Sequence, residues 1–313
     1  MTTTLTRTGR ESTRTLAAVR ERGVVRVAVS RGILGLSCPG PDGQWAGLDV
    51  EFARAVAAAA GVTAEFRPVD PADRLAVLAG GEVDLVTANL TASLPREAGH
   101  GVTFAAVTCY DGEGFLVRAD EPVRTPQDLA GRPVAVQAGT TSAANLRRYL
   151  GAGAVPVAYA TPAEARAAYE AGVCAAYLLD RTALAGERAQ LTDPVAHRLL
   201  DETISREPMA LAARDDDPAW LRLCRWVPQL AVNLEYARRA GGPAARATLA
   251  AEADPLGAAL GVGEGWATRV LDAVGDYGDI YDRTLGDASP LSLPRGLNEL
   301  WTAGGLHYPL PLT

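Results

Sequence analysis

Val24-Val25-Arg26-Val27-Ala28-Val29 opens a run that continues through residues 48–60 (LDVEFARAVAAAA), 64–69 (AEFRPV), 71–79 (PADRLAVLA) and 83–87 (VDLVT). The first and fifth segments are short and rich in β-branched residues, which marks strands, and the third is strand-like. Residues 48–60 carry Phe52 and Val56 on one helical face, the spacing of an amphipathic helix. Strand, helix, strand, helix, strand predicts a parallel sheet with helices on both faces.

The pattern pauses and then restarts. Phe115-Leu116-Val117 is extended and follows Gly112-Glu113-Gly114. Beyond it come strand Val134-Ala135-Val136, helix 142–150, strand 155–159, helix 162–171 and strand 175–179. A second extended stretch, residues 209–213, returns the chain to the first α/β unit. Two crossings predict two lobes on a hinge, with a site between them where strand C-termini open. The expected division is an N-terminal extension at 1–14, lobe 1 at 15–116, lobe 2 at 117–208, and lobe 1 again at 209–313. A short helix is expected at 13–21. In the tail, helix is expected at 266–274, followed by a loop-rich strap over 287–313 anchored by Trp301 and Tyr308.

The chain has 313 residues, 48% of them hydrophobic and 21% charged, with a net charge of −7. That balance suits a folded chain with a large core. No basic block tracks nucleic acid, so that partner is excluded. No run reaches the roughly 18 apolar residues of a membrane span. Residues 1–22 lack the apolar stretch of about 7–15 residues that an export signal needs, which gives the expectation of a cytoplasmic protein. Cys38, Cys109, Cys174 and Cys224 form no CxxC pair, leaving free thiols and bridges both open. His100, His197 and His307 have no metal-ligand spacing. Gly261-Val262-Gly263-Glu264-Gly265 lacks the strand a dinucleotide loop requires, and Ser37 misses a nucleophile elbow by one residue. Neither a cofactor nor a metal is expected.

Three features converge on a zwitterionic amino acid. Arg96, after Asn89-Leu90-Thr91-Ala92-Ser93-Leu94-Pro95, supplies a guanidinium fork that matches a carboxylate. Thr141 and Ser142 open a helix after the turn at Gly139-Thr140, so their N–H groups and the helix dipole add to the anion site. Asp180 ends a strand, where a carboxylate meets an ammonium. Each alone reads as a solvated arginine, a helix cap or a turn acid. Their order and their placement on the two lobes single out the cleft.

The chain resembles the bacterial extracellular solute-binding proteins of family 3, the amino-acid receptors of ABC transporters. Its nearest subgroup is the general L-amino-acid-binding proteins. The resemblance runs from about Thr15 to the C-terminus, weakly over 238–254. It rests on TLAAVRERG, GQWAGLDVEFARAVAAA, GEVDLV, YDGEGFLVR, VQAGTTSAANL and the tail GDYGDIYDRTLGDASPLSLPRGLNELWTAGGLHY. It implies a periplasmic-binding-protein-like (type II) α/β fold of two lobes joined by a two-crossing hinge. It further implies that Arg96 and Thr141 hold the ligand carboxylate, with Thr140 in the same turn, and that Asp180 holds the ammonium. Asn89 and Thr91 add contacts beside them, while Ser30 and Ile33 meet the ligand side chain.

The departures shape the functional expectation. Leu90 and Ala92 replace polar and aromatic residues of the subgroup, Leu178-Leu179 replaces a Thr pair, and Glu113 stands where Gln is common. Cys174 matches a family cysteine whose partner position is Ala135, a lost bridge that suits a reducing compartment. A more apolar cleft with one more carboxylate suits acid–base catalysis. The expectation is therefore a cytosolic, cofactor-independent lyase or cyclase acting on an amino acid or derivative, with Glu113, Asp180 and Glu207 as proton carriers. The alternative is a binding protein without catalysis, serving an ABC permease or acting as a sensor.

Overall fold

The computed structural model describes residues 15–40 and 42–312; the expected extension at 1–14 lies outside them. The strands, in chain order, are β1 (Val24–Val29), β2 (Cys38–Pro39), β3 (Trp45–Ala46), β4 (Thr63–Pro68), β5 (Leu85–Val86), β6 (Val102–Asp111), β7 (Glu113–Arg118), β8 (Pro133–Gln137), β9 (Val155–Tyr159), β10 (Ala176–Asp180), β11 (His197–Leu199) and β12 (Glu207–Arg214). They form a sheet in the order β4-β1-β5-β12-β6, a second in the order β11-β7-β10-β8-β9, and a β2–β3 ribbon. This is the periplasmic-binding-protein fold, two α/β lobes.

The βαβαβ run forms the expected parallel strands β4, β1 and β5, and both sheets as a whole are mixed. β1 runs parallel to β4 and β5, but β12 runs antiparallel to β5 and β6. In the second sheet β8 runs parallel to β9 and β10, and β7 antiparallel to β10 and β11. The strands that break the parallel order are those that enter or leave the crossings.

The change of sheet falls at Gly112, between β6 and β7, so residues 113–116 belong to lobe 2 rather than lobe 1. The return begins at Glu207, the first residue of β12, two residues before the expected boundary. Gly112 is a glycine for a steric reason. A Cβ there would lie 2.7 Å from Ser205 O and 2.9 Å from Thr203 Cβ, on the segment leading into the other crossing.

Lobe 1 buries a large apolar cluster against helices Leu48–Ala60, Pro218–Ala253 and Trp266–Val274, with Phe52, Trp220 and Trp266 at 0–1% exposure. Such side chains each contribute about 1.5–3 kcal/mol of burial. Residues 238–254, where the family resemblance weakens, lie largely in Pro218–Ala253. That helix breaks at Gly242 (φ 79°), just before Pro243. Proline cannot continue the hydrogen-bond ladder, so the kink has a local cause.

In lobe 2, Phe115, Val136, Leu146 and Leu178 pack on one sheet face, while Leu116, Tyr169, Tyr177 and Leu184 pack on the other. Helix Pro162–Glu170 starts with a capping box between Thr161 and Glu164, which satisfies first-turn N–H groups.

Smaller corrections follow from turn chemistry and burial. The helix expected from Pro71 begins at Arg74 and ends at Ala79. The helix expected at 13–21 is Thr15–Arg22 where described. Trp301 and Tyr308 do not anchor the tail; they are 48% and 58% exposed and lean on each other with ring centroids 5.3 Å apart. The anchors are Asn298, Leu300 and His307, each at most 5% exposed.

Candidate functional site

The two lobes meet over a cavity of about 70 Å3 lined by Ile33, Asn89, Thr91, Arg96, Glu113, Thr140, Thr141, Asp180 and Glu207, among others. Nine of the ten residues named from sequence thus surround one space. The tenth, Ser30, is buried behind it, where its hydroxyl accepts from Arg74 Nη2 at 3.0 Å. The lobes are closed on each other. Asn89 Nδ2, on lobe 1, donates to Asp180 Oδ2, on lobe 2, at 2.9 Å. Ala185, in the lobe 2 helix Arg181–Ala189, packs into the lobe 1 core.

Arg96 lies in helix Leu94–His100 and donates through Nη1 to Thr91 O at 2.7 Å. That bond orients the fork and leaves its other nitrogens for a ligand. Across the cleft, the helix Ser142–Leu150 begins directly after Thr141. Thr140 Oγ1 donates to Gln137 O at 2.7 Å and accepts from Ser142 N at 3.3 Å, fixing the turn.

The carboxylates gather at the crossings. Asp180 pairs with Glu113 in the β10–β7 register, and Glu207 with Asp111 in the β12–β6 register. Oxygens of Glu113, Asp180 and Glu207 lie within 4.8 Å of one another, the arrangement among the described residues that would hold a cation. Glu113 accepts from Ser142 Oγ at 2.5 Å and Asn145 Nδ2 at 2.8 Å. Glu207 accepts from Thr91 Oγ1 and Ser205 Oγ, both at 2.6 Å. Asp111 accepts from Thr182 N and Oγ1 at 3.0 and 2.5 Å. Asp180 alone has one oxygen engaged, by Asn89.

Burial and the neighbouring charges of Asp111, Glu113 and Glu207 push the Asp180 carboxyl well above the usual range, against the Asn89 bond that lowers it. Burial also raises Glu113 and Asp111, offset by their hydroxyl, amide and N–H donors. A cation on Asp180 relieves this repulsion, and a zwitterion's ammonium is one.

Sequence reasoning missed the residues that hold this set in place: Asp49, Arg74, Asp111, Ser142 as a side-chain donor, Asn145 and Ser205. Asp49 and Arg74 sit inside the expected helical segments and were not singled out; both are buried. An acid and an arginine on the apolar face of their helices were the available signal. The cleft is also more polar than the Leu substitutions suggested. Leu178 is core, and only Leu179 reaches the cavity.

The profile of the bacterial extracellular solute-binding proteins, family 3, matches residues 25–255. The chain belongs to that family. Among its relatives is the general L-amino acid-binding periplasmic protein AapJ of Rhizobium johnstonii, 35% identical, with 96% of this chain and 93% of that protein covered. The glutamate/glutamine/aspartate/asparagine-binding protein BztA of Rhodobacter capsulatus is 33% identical, with 97% and 94% covered. A solved ABC transporter periplasmic binding protein from Brucella ovis, with glutathione bound, superposes with a TM-score of 0.87 at 35% identity, covering 96% of this chain and 99% of that one.

These relatives overturn the expectation of a lyase or cyclase, since they are named for binding. In the site, Glu113 and Glu207 each have both oxygens held by donors from their own chain. No helix among the described residues is long and apolar enough to cross a membrane.

Proposed function

We propose that this family 3 protein binds a zwitterionic α-amino acid by closing its lobes over it, and hands it to a membrane transporter of the ABC class. Arg96 takes one or both carboxylate oxygens, supported by the N–H group of Thr141. Asp180 takes the ammonium, with Glu113 and Glu207 behind it adding negative potential. The observation that carries this reading is the convergence of a fork, a helix N-terminus and a singly engaged carboxylate, drawn from both lobes, on one enclosed space.

A small peptide built on the same α-carboxylate and ammonium is a second reading, favoured by one feature. The cleft adjoins a chamber of about 430 Å3 lined by Arg31, Asp70, Gln137, Arg166 and Gln190, among others. That chamber offers room beyond a single side chain.

Titration calorimetry with a panel of L-amino acids and short peptides tests both. Binding of at least one member, lost by a hundredfold or more in Arg96→Ala, is expected, since removing one partner of a buried charge pair costs about 2–5 kcal/mol. Undiminished binding by that variant would refute the site.

A further inference from the structure

A pocket of about 590 Å3 lies behind the hinge, outside the cleft. Among the described residues, Glu207 is the single one that lines both this pocket and the amino-acid cavity. The crossings at 111–113 and 203–207 stand between the two spaces, which therefore lie on opposite sides of one fulcrum. Lobe 2 supplies Arg181 and Asp201 to the pocket wall, and the lobe 1 tail supplies Pro294, Leu297 and Leu306. Its volume is in the range of roughly 300–1,000 Å3 that takes small molecules.

The tail side is apolar. Leu297 and Leu306 are 54% and 50% exposed, and a bond from Leu306 N to Leu297 O at 2.9 Å sets them side by side. Leucines fixed together in water are unfavourable until something apolar covers them. Arg295 brings no free charge to this side, because Glu235 holds it at both oxygens, at 3.0 and 2.9 Å. The lobe 2 side is cationic. Arg181 spends Nη1 on the carbonyls of Leu200 and Asp201 and forms no ion pair among the described residues. Arg206 lines the pocket, is exposed and forms none either. Asp111 is already held by Gly112 N at 2.7 Å and by Thr182, and Glu207 by Thr91 and Ser205. Asp201, which is exposed, is then the one carboxylate of the wall set against two unpaired guanidiniums.

We propose that this pocket is a second binding site, for a small carboxylate with an apolar chain or ring, and that its occupant holds the lobes closed. The carboxylate meets Arg181 and Arg206, and the apolar body covers Leu297 and Leu306. Opening the cleft swings the lobe 2 wall toward the tail and narrows the pocket, so the occupant fits the closed arrangement best. By linkage it tightens binding in the cleft, and the cleft ligand tightens its binding by the same factor. The coupling rests on the amino-acid reading; the site itself does not.

The test is calorimetry of the full chain with sodium octanoate, beside octylammonium chloride as a cation of the same chain length. Octanoate should bind at one site with a Kd of about 1 mM or tighter, and octylammonium about tenfold more weakly. Leu297→Asp and Arg206→Glu, both at exposed positions, should each weaken octanoate about tenfold, and Arg96→Ala should leave it unchanged. Saturating octanoate should raise affinity for the tightest-binding L-amino acid of the panel about fivefold, a gain that vanishes in Leu297→Asp. Without octanoate, Leu297→Asp should bind that amino acid as the unmodified chain does. The site is overturned if octanoate does not bind, binds no better than octylammonium, is unaffected by both pocket variants, or is lost in Arg96→Ala, which would place it in the cleft. Octanoate that binds in the pocket but leaves amino-acid affinity unchanged or lowered overturns the coupling. If no amino acid binds, the clamp reading fails, and octanoate binding with its loss in Leu297→Asp still decides the pocket.

Discussion

Asp180 and Asp49 are the two carboxylates whose protonation matters most. Asp180 must be ionised to meet an ammonium, and its surroundings delay that ionisation to a higher pH than an ordinary carboxyl needs. Ligand affinity should therefore rise with pH above the normal carboxylate range and fall on acidification. Asp180→Asn should bind a hundredfold or more weakly, with that pH dependence removed; calorimetry across the pH range checks both. Asp49 is raised to about 6, chiefly by burial, against the bond from Asn89 N and the charge of Arg74. A raised acid holds its proton more tightly when folded. Its stabilising contribution is full below about pH 4, the unfolded value, and is lost as pH rises through about 6. Asp49→Asn should flatten that part of the stability–pH curve, removing a change of roughly 2–3 kcal/mol measurable by urea unfolding.

At the level of elements, closure depends on how near the helix Arg181–Ala189 comes to lobe 1. A Cβ at Gly186 would stand 2.7 Å from Leu34 O. Gly186→Ala keeps the helix but wedges the lobes, so ligand affinity should drop about tenfold, consistent with an overpacking cost of about 1–3 kcal/mol. The tail acts on the other side of the hinge. Asn298 accepts from Tyr110 N at 2.7 Å and donates to Tyr110 O at 2.9 Å, immediately before the first crossing. Asn298→Ala strands two backbone groups and should cost about 2–4 kcal/mol in denaturant unfolding.

For the whole molecule, the proposed ligand binding between two lobes has one thermodynamic signature and one hydrodynamic one. A ligand at a hundred times its dissociation constant should stabilise the protein by about 2.7 kcal/mol, seen as a raised Tm. Small-angle scattering should show the particle compacting on saturation, and Gly186→Ala should compact less. A ligand that raises Tm with no change in dimensions would show that the closed arrangement is already dominant without it.

The sequence by itself determined the two α/β units, their order, and the cleft residues Arg96, Thr141 and Asp180. These follow from local periodicity, turn chemistry and motif spacing, which need no knowledge of distant contacts. It also led toward catalysis, because an extra Glu and two Leu substitutions look like a catalytic pocket when their neighbours are unknown. Tertiary structure decided what surrounds those residues. Ser142, Asn145, Thr91 and Ser205 are brought to Glu113 and Glu207 across separations of up to 116 positions in the chain. Burial of Asp49 and Arg74 left only a faint local signal, because the groups that pair with them, Ser30 and Asn89, lie far along the chain. Charge state and hydrogen-bond saturation are set by non-local packing, and for that reason the fold and the residues lining the cleft were legible while the surroundings of each carboxylate were not.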